Sequence, residues 1–459
     1  MPEGVPLPEK SSRRARRFFD PPARGGWDLT IASPRCAPHH RFLMSASAEP
    51  ATGRRAAFGF IFVSAVVCAM SIGLMVPVLP NLLKHFNGGD TAAAADWSVI
   101  FNVFGGAMSF LAGPLLGLLS DRFGRRPVLL LSVSGLGLDF LFMAFAPNLW
   151  WLFVGRLISG ATSGVFSTAN AYVADVTEPE RRARAFGWMG SAFSVGFLVG
   201  PALGGFLGDI NLRLPFLAAA GLTLINALYG LFVVPESLPL EKRALGFRWQ
   251  RANPLGSLQL LRSHHELLPL ASVGFLNQLA NMVWPSVFVL YAGYRFHWTP
   301  GMTGGFMAGL SIVGVAVQSF VVGPFVRHFG ERACLVTGAV LPVIGLSWIS
   351  YAPNGWLYLI GVPFNAFWQL LIPGLQGLMT RRVGPNEQGQ LQGANQSLAG
   401  MASVVGPILY GLSFAWAVRH PEVHVPGLPF LLAAITMALC TAIAIWSGRV
   451  AQARQRELA

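Results

Sequence analysis

"GLLSDRFGRRP", residues 117–127, interrupts two apolar runs, 97–116 and 128–146, with one acid and three arginines. A helix that crosses hydrocarbon needs about 20 mostly apolar residues, and both flanks reach or approach that length. The polar gap must therefore reverse the chain at a membrane face. Gly124 supplies the turn and Pro127 a fresh helix start. Asp121 is the informative residue, because amid Arg122, Arg125 and Arg126 it is either a local screen for their charge or a partner for one discrete state.

The rest of the chain has the same character. It is 53% hydrophobic and only 12% charged, where soluble domains carry about 25% charge. Twelve apolar runs are long enough to cross: 57–79, 97–117, 128–146, 149–173, 186–207, 213–234, 267–291, 301–325, 332–351, 355–379, 391–415 and 428–447. Period-2 alternation is absent and the runs are too long for barrel strands, so the expectation is an all-α membrane protein with twelve transmembrane helices. Its parts would be a basic, disordered tail (1–56), a first six-helix bundle (57–235), a linker (236–266), a second six-helix bundle (267–447) and a short tail (448–459).

Charge fixes the expected orientation. With twelve crossings and the first residues inside, 28 of the 33 basic residues fall in cytoplasmic segments, which puts both termini in the cytoplasm of a multi-pass inner-membrane protein. The net charge of +13 is scattered over membrane loops, so it suits lipid headgroups and not nucleic acid. Cys36, Cys68, Cys334 and Cys440 have no metal-ligand or redox spacing. No nucleotide-binding loop or nucleophile constellation appears, so neither an enzyme nor an ATP-driven pump is expected, and no cofactor.

Sliding the chain on itself by 206 residues reveals a repeat. Pro147, Asn148, Trp150 and Gly155 fall on Pro353, Asn354, Trp356 and Gly361; Pro179 falls on Pro385, and Gly187 on Gly393. Gly200 and Pro201 fall on Gly406 and Pro407, while Gly117, Phe123, Gly124 and Arg126 fall on Gly323, Phe329, Gly330 and Arg332. An even number of crossings separates the equivalents, so the halves run parallel.

Two six-helix halves joined by a basic loop, with this stretch between the second and third crossings, resemble the major facilitator superfamily. "GFLVGPALGG" (196–205) resembles the antiporter motif of that group, and "GRLISG" (155–160) its motif with a buried arginine. More narrowly, "DRFGRRPVLLLS", "LDF" (138–140), "RFHW" (295–298) and "GQLQG" (389–393) resemble tetracycline efflux proteins. The likeness implies proton-coupled efflux of amphiphilic organic compounds by alternating access, powered by the proton gradient, in a monomer. Where those proteins carry acids and a histidine, this chain has Cys68, Pro342 and Gly314, so the likeness does not single out tetracycline.

The resemblance makes Gly117, Asp121, Arg122, Gly124, Arg125 and Arg126 a conformational latch, which Asp121 closes in the outward-open state. The repeat puts Arg327 at the position of Asp121, so the second copy lacks the acid. Gly196, Gly200, Pro201, Gly204 and Gly205 give one helix a small-residue face for close packing. Asp139 and Arg156 lie eight residues before Pro147 and after Asn148, both about 10–12 Å from the outer end at 1.5 Å per residue. They are a structural pair or a proton site. Asn277, Gln278, Asn281, Trp284, Gln318, Asn365, Trp368, Gln369 and Asn395 are candidates for a cavity that grips an amphiphile with aromatics and orients it with amides, or else for interhelical hydrogen bonds.

Facilitated transport of a metabolite, or a receptor that keeps the fold without turnover, remain as alternatives on the sequence alone. Residues 1–50 hold no apolar core long enough for a cleavable signal, and Met44 opens an ordinary lead-in to the first crossing. Deleting residues 1–43 is expected to leave transport near normal at equal expression, measured in membrane vesicles; a large loss would make the basic tail functional.

Overall fold

The computed structural model describes residues 51–243, 259–384 and 387–458. The expected disordered tail lies outside the described residues, apart from its last few positions. Among the described residues, eleven helices are long and apolar enough to cross a membrane. They are α1 (Phe58–Phe86), α2 (Thr91–Phe123), α3 (Arg125–Phe145), α4 (Leu149–Val176), α5 (Arg182–Ile210) and α6 (Leu214–Val233). The remainder are α7 (His265–Phe296), α8 (Pro300–Tyr351), α9 (Gly355–Thr380), α10 (Gln388–Arg419) and α11 (Leu428–Gly448). Large apolar side chains such as Phe232, Trp356 and Phe320 are exposed, as a lipid-facing surface requires.

Local chemistry sets the helix starts. Asp90 caps α2 by accepting from the Ala92 and Ala93 N–H groups at 2.8 and 3.2 Å. The repeat-related asparagines do the same work: Asn148 Oδ1 accepts from Trp151 N at 3.2 Å and Asn354 Oδ1 from Leu357 N at 2.9 Å. The helices are interrupted where a crossing must bend or reverse. α4 unwinds at Thr162–Gly164, α8 has a π-helical turn at Val317–Val321, and α9 tightens to a 3-10 turn at Phe367–Leu370. α8 is 52 residues long, but Gly330 within it has φ +80° and ψ 167°. Gly124, which separates α2 from α3, has φ +106° and ψ 162°. No other residue type holds such a backbone without strain.

α5 occupies a central place between α1 and α8. Its glycines face the α1 backbone: a Cβ on Gly200 would lie 2.5 Å from Met70 O and 2.8 Å from Gly73 Cα, and one on Gly196 would lie 2.7 Å from Met70 N. Gly204 is pressed on Leu74 and Gly205 on Pro300 at the start of α8, while Gly304 of α8 meets the Pro201 carbonyl. Small residues here let backbones touch where side chains would hold them apart.

α2 and α10 make the matching second seam. Gly411 meets Val99, Ser403 lies beside Gly106, and Phe110 lies on Gly400. Both seams are tied at one end of the molecule. Asp209 at the end of α5 accepts from Gly301 N at 3.0 Å and from Thr299 Oγ1 at 3.2 Å, and Asp96 pairs with Arg419. Nearer Gly124, Gly113, Gly117, Gly187, Gly190 and Gly389 have open space beside them.

Gly200→Val forces a side chain into the α1 backbone and is expected to cost at least about 1–3 kcal/mol, seen as a lower melting temperature and less folded protein in detergent. Gly187→Ala, which enters open space, is expected to change stability by less than about 0.5 kcal/mol. Equal melting of the two variants would contradict this packing.

Candidate functional site

The polar turn between α2 and α3 is built as one rigid unit. Arg125 reaches Asp121 Oδ1 at 2.6 Å, Ser120 Oγ at 3.1 Å and, across to the end of α4, Asp175 Oδ2 at 2.9 Å. Arg126 donates to the Leu231 carbonyl at the end of α6. Arg122 projects outward over the Phe123 ring at 5.4 Å. Gly124 is buried, and any Cβ there would fall on the Glu236 carboxylate.

Glu236 is the member that sequence reading missed. Expected to open the linker, it instead accepts from Arg125 N at 2.8 Å, Arg126 N at 3.3 Å and Leu238 N at 3.0 Å. It thereby satisfies the free N–H groups at the start of α3 and places negative charge at the positive end of the helix dipole. Its one sequence signal is an acid directly after the apolar run that ends at Pro235.

Deeper in the molecule, α3 and α4 bring Asp139 and Arg156 together. Arg156 Nη2 donates to Asp139 Oδ2 at 2.6 Å, and Asp139 is fully buried while the Arg156 side chain is 15% exposed. The same nitrogen lies 3.0 Å from Met75 Sδ and 3.3 Å from Met143 Sδ, so two soft acceptors lie beside the cation, while Arg156 Nε and Asp139 Oδ1 are buried without a hydrogen-bond partner among the described residues. A Cβ at Gly155 would lie 2.8 Å from Asp139 Oδ1; glycine is what lets α4 come near enough for the pair to form.

The polar candidates of the later helices do not form one lining. Asn277 is buried, and its Oδ1 accepts from Trp368 Nε1 at 2.5 Å, which ties α7 to α9. Asn365 is also buried, with its amide donating to the Gly361 carbonyl of its own helix at 2.9 Å and packed against Gly345 of α8. Trp284 belongs to an aromatic cluster, 5.6 Å from Phe288 and 5.8 Å from Phe430. By contrast Gln369, Gln318 and Asn281 are exposed, and Gln278 and Asn395 half-buried. The Gln369 amide stands 3.2 Å from where a Cβ on Gly314 would be, so α9 reaches α8 one turn from Gln318. Gln318 itself sits in the π-helical turn, an irregularity often found where helices line functional sites.

Among the described residues, no group of three or more His, Cys, Asp or Glu could hold a metal ion. A profile of the Major Facilitator Superfamily matches residues 61–407. The chain is 38% identical to tetracycline resistance protein, class C, of Escherichia coli, over 76% of this chain and 87% of that protein. It is 31% identical to tetracycline resistance protein, class H, of Pasteurella multocida, over 85% of this chain and 96% of that protein. In fold it is similar to the crystal structure of the human organic anion transporter MFSD10 (TETRAN), with a TM-score of 0.63 and 22% identity over 85% of this chain and 99% of that one. Apolar crossing helices packed through glycine contacts, and a family match that covers most of the chain, lead to one conclusion: the chain belongs to the Major Facilitator Superfamily and is a secondary transporter of small organic molecules, not an enzyme.

Proposed function

We propose that the protein is a proton-coupled exporter of amphiphilic, drug-like compounds, working as a monomer in a bacterial-type inner membrane with both termini in the cytoplasm. The observation that carries the reading is the buried Asp139–Arg156 pair. A carboxylate held by one fixed cation can give up its charge to a proton when the cavity around it changes face, and little else in that part of the membrane can. The identity to tetracycline resistance proteins supports export of related compound classes. The substrate would be oriented by the amides of Gln278, Asn281, Gln318, Gln369 and Asn395, while Asn277, Trp368 and Asn365 hold the walls together. Against tetracycline in particular stands Gly314, whose free side is taken up by the Gln369 amide.

The twelve-crossing reading is supported by Gly330. It stands 206 residues after Gly124 in a backbone conformation of the same kind, so α8 is two crossings, 300–329 and 331–351, joined by a turn that continues the helical hydrogen bonding. Two bundles of six then run from 57 to 235 and from 267 to 447. The basic turns at Gly124 and Gly330 lie on the cytoplasmic side by the distribution of arginine. The described conformation is accordingly the inward-open one, closed outside by Asp209 and by the Asp96–Arg419 pair. Asp121, half-exposed and bonded to Arg125, is then the latch in its released state.

The test is transport into everted vesicles with and without an imposed proton gradient, on compounds found by a growth screen of an expressing strain. Asp139→Asn is expected to abolish uphill export while substrate counterflow continues. Because a stranded Arg156 would cost about 3–5 kcal/mol, abundance is expected to fall and to recover in Asp139→Asn with Arg156→Gln. Recovered abundance with downhill movement alone is the expected result; recovered uphill transport would rule out Asp139 as the proton carrier. Asp121→Asn is expected to keep abundance while transport drops about tenfold or more. Unchanged export at equal expression would sink the latch.

A further inference from the structure

The turn at Gly330 copies the turn at Gly124 in three respects. Each glycine takes a positive φ, +106° and +80°. Arg126 donates to the Leu231 carbonyl near the end of α6, and Arg332 donates to the Gly448 carbonyl at 2.9 Å and the Ile445 carbonyl at 3.4 Å near the end of α11. In each, the residue after the glycine forms an ion pair with the end of the helix that follows the next turn: Arg125 with Asp175 at 2.9 Å, Glu331 with Arg381 at 2.8 Å. Residues 175 and 381 are again 206 apart.

The signs are reversed throughout. Asp121, Arg125 and Asp175 read minus, plus, minus; at the repeat positions Arg327, Glu331 and Arg381 read plus, minus, plus. The second copy lacks the acid, as the repeat indicates, but an ion pair stands at the anchoring positions with its charges exchanged. Glu331 is largely covered and packs beside Gly377, while Arg327 is exposed and makes no ion pair among the described residues.

We propose that Arg327, anchored by the Glu331–Arg381 pair, is a second latch of inverted charge, which seizes Glu178 and Glu180 when the Gly124 end of the transporter closes. This rests on alternating access and on the reading of Asp121 as a latch. The repeat relates the start of α10 to the start of α5, so if Asp121 closes on the former, Arg327 closes on the latter. An acid is favoured at a helix start by the dipole, but a cation is repelled there. Arg327 therefore needs acids in front of the helix. Glu178 and Glu180 stand there, exposed, just before α5 and beside Arg181, Arg182 and Arg184; among the described residues Glu178 pairs with Arg181 at 3.4 Å.

The experiment reads conformation directly. In a Cys36→Ser background, where Cys68, Cys334 and Cys440 are buried, Gly190→Cys reports on the open gap beside α5 through its rate of reaction with an impermeant maleimide in everted vesicles. Arg327→Glu is expected to raise that rate about fivefold or more, because the closed state loses its clasp, with normal abundance. Adding Glu178→Arg and Glu180→Arg is expected to return it to within about twofold of the parent. A parental rate in Arg327→Glu, or a raised rate that the exchange does not reverse, would overturn the proposal. If Arg327→Glu fails to accumulate, Arg327→Gln carries the same comparison with a smaller increase, and a parental rate there counts equally against it. The labelling needs neither substrate nor proton gradient, so failure of the efflux reading would leave this result standing.

Discussion

The approach of α5 to the backbones of α1 and α8 is closer than side chains permit, and the rest of the molecule is arranged around that contact. Gly196, Gly200 and Gly204 seat α5 on α1, whereas Gly205 and Pro201 meet the beginning of α8. The first contact lies within the leading group of helices and the second bridges to the later ones. A side chain on the first would push α1 away; one on the second would pry open the end held by Asp209. Packed surfaces of this kind slide or rock as units because they have no slack to deform.

Charge is used differently at the two ends and in the middle. At the end held shut, Asp209 and Asp96 reach across the seams to Thr299, Gly301 and Arg419, so the bonds must break for that end to open. Toward the Gly124 end, the ion pairs Arg125–Asp175 and Glu331–Arg381 each stay within one half of the chain and stiffen its turns. Between them, Asp139 and Arg156 lie within the membrane, where an ion is tolerated only with its partner. A molecule that alternates between states needs both kinds of contact, bonds that break with each change and bonds that hold through it.

The same division explains why the polar residues of the later helices have separate duties. The Asn277–Trp368 bond ties α7 to α9, and Asn365, whose amide N–H donates to the Gly361 carbonyl of its own helix, packs against Gly345 of α8, so both residues serve the helix contacts. The exposed amides of Gln369 and Gln318 retain theirs, and they stand beside turns where α9 tightens and α8 widens.

The sequence by itself determined whatever depends on neighbours along the chain. Apolar length marked the membrane helices, Pro147–Asn148 and Pro353–Asn354 marked helix starts, Gly124 marked a reversal, and the spacing in 196–205 marked a helix that must pack closely. The level of Asp139 and Arg156 could also be counted, because a helix rises by a fixed step from each side of one turn. Only the tertiary structure decided which distant groups meet. Nothing local says that Glu236 caps α3 from beyond α6, that Asn277 bonds Trp368, or that Glu331 answers Arg381 as Arg125 answers Asp175. The reason is physical: a helix start, a turn or a crossing is fixed by short-range sterics and solvation, whereas a polar group's partner is fixed by which helix faces are brought together, and that depends on the packing of the whole chain.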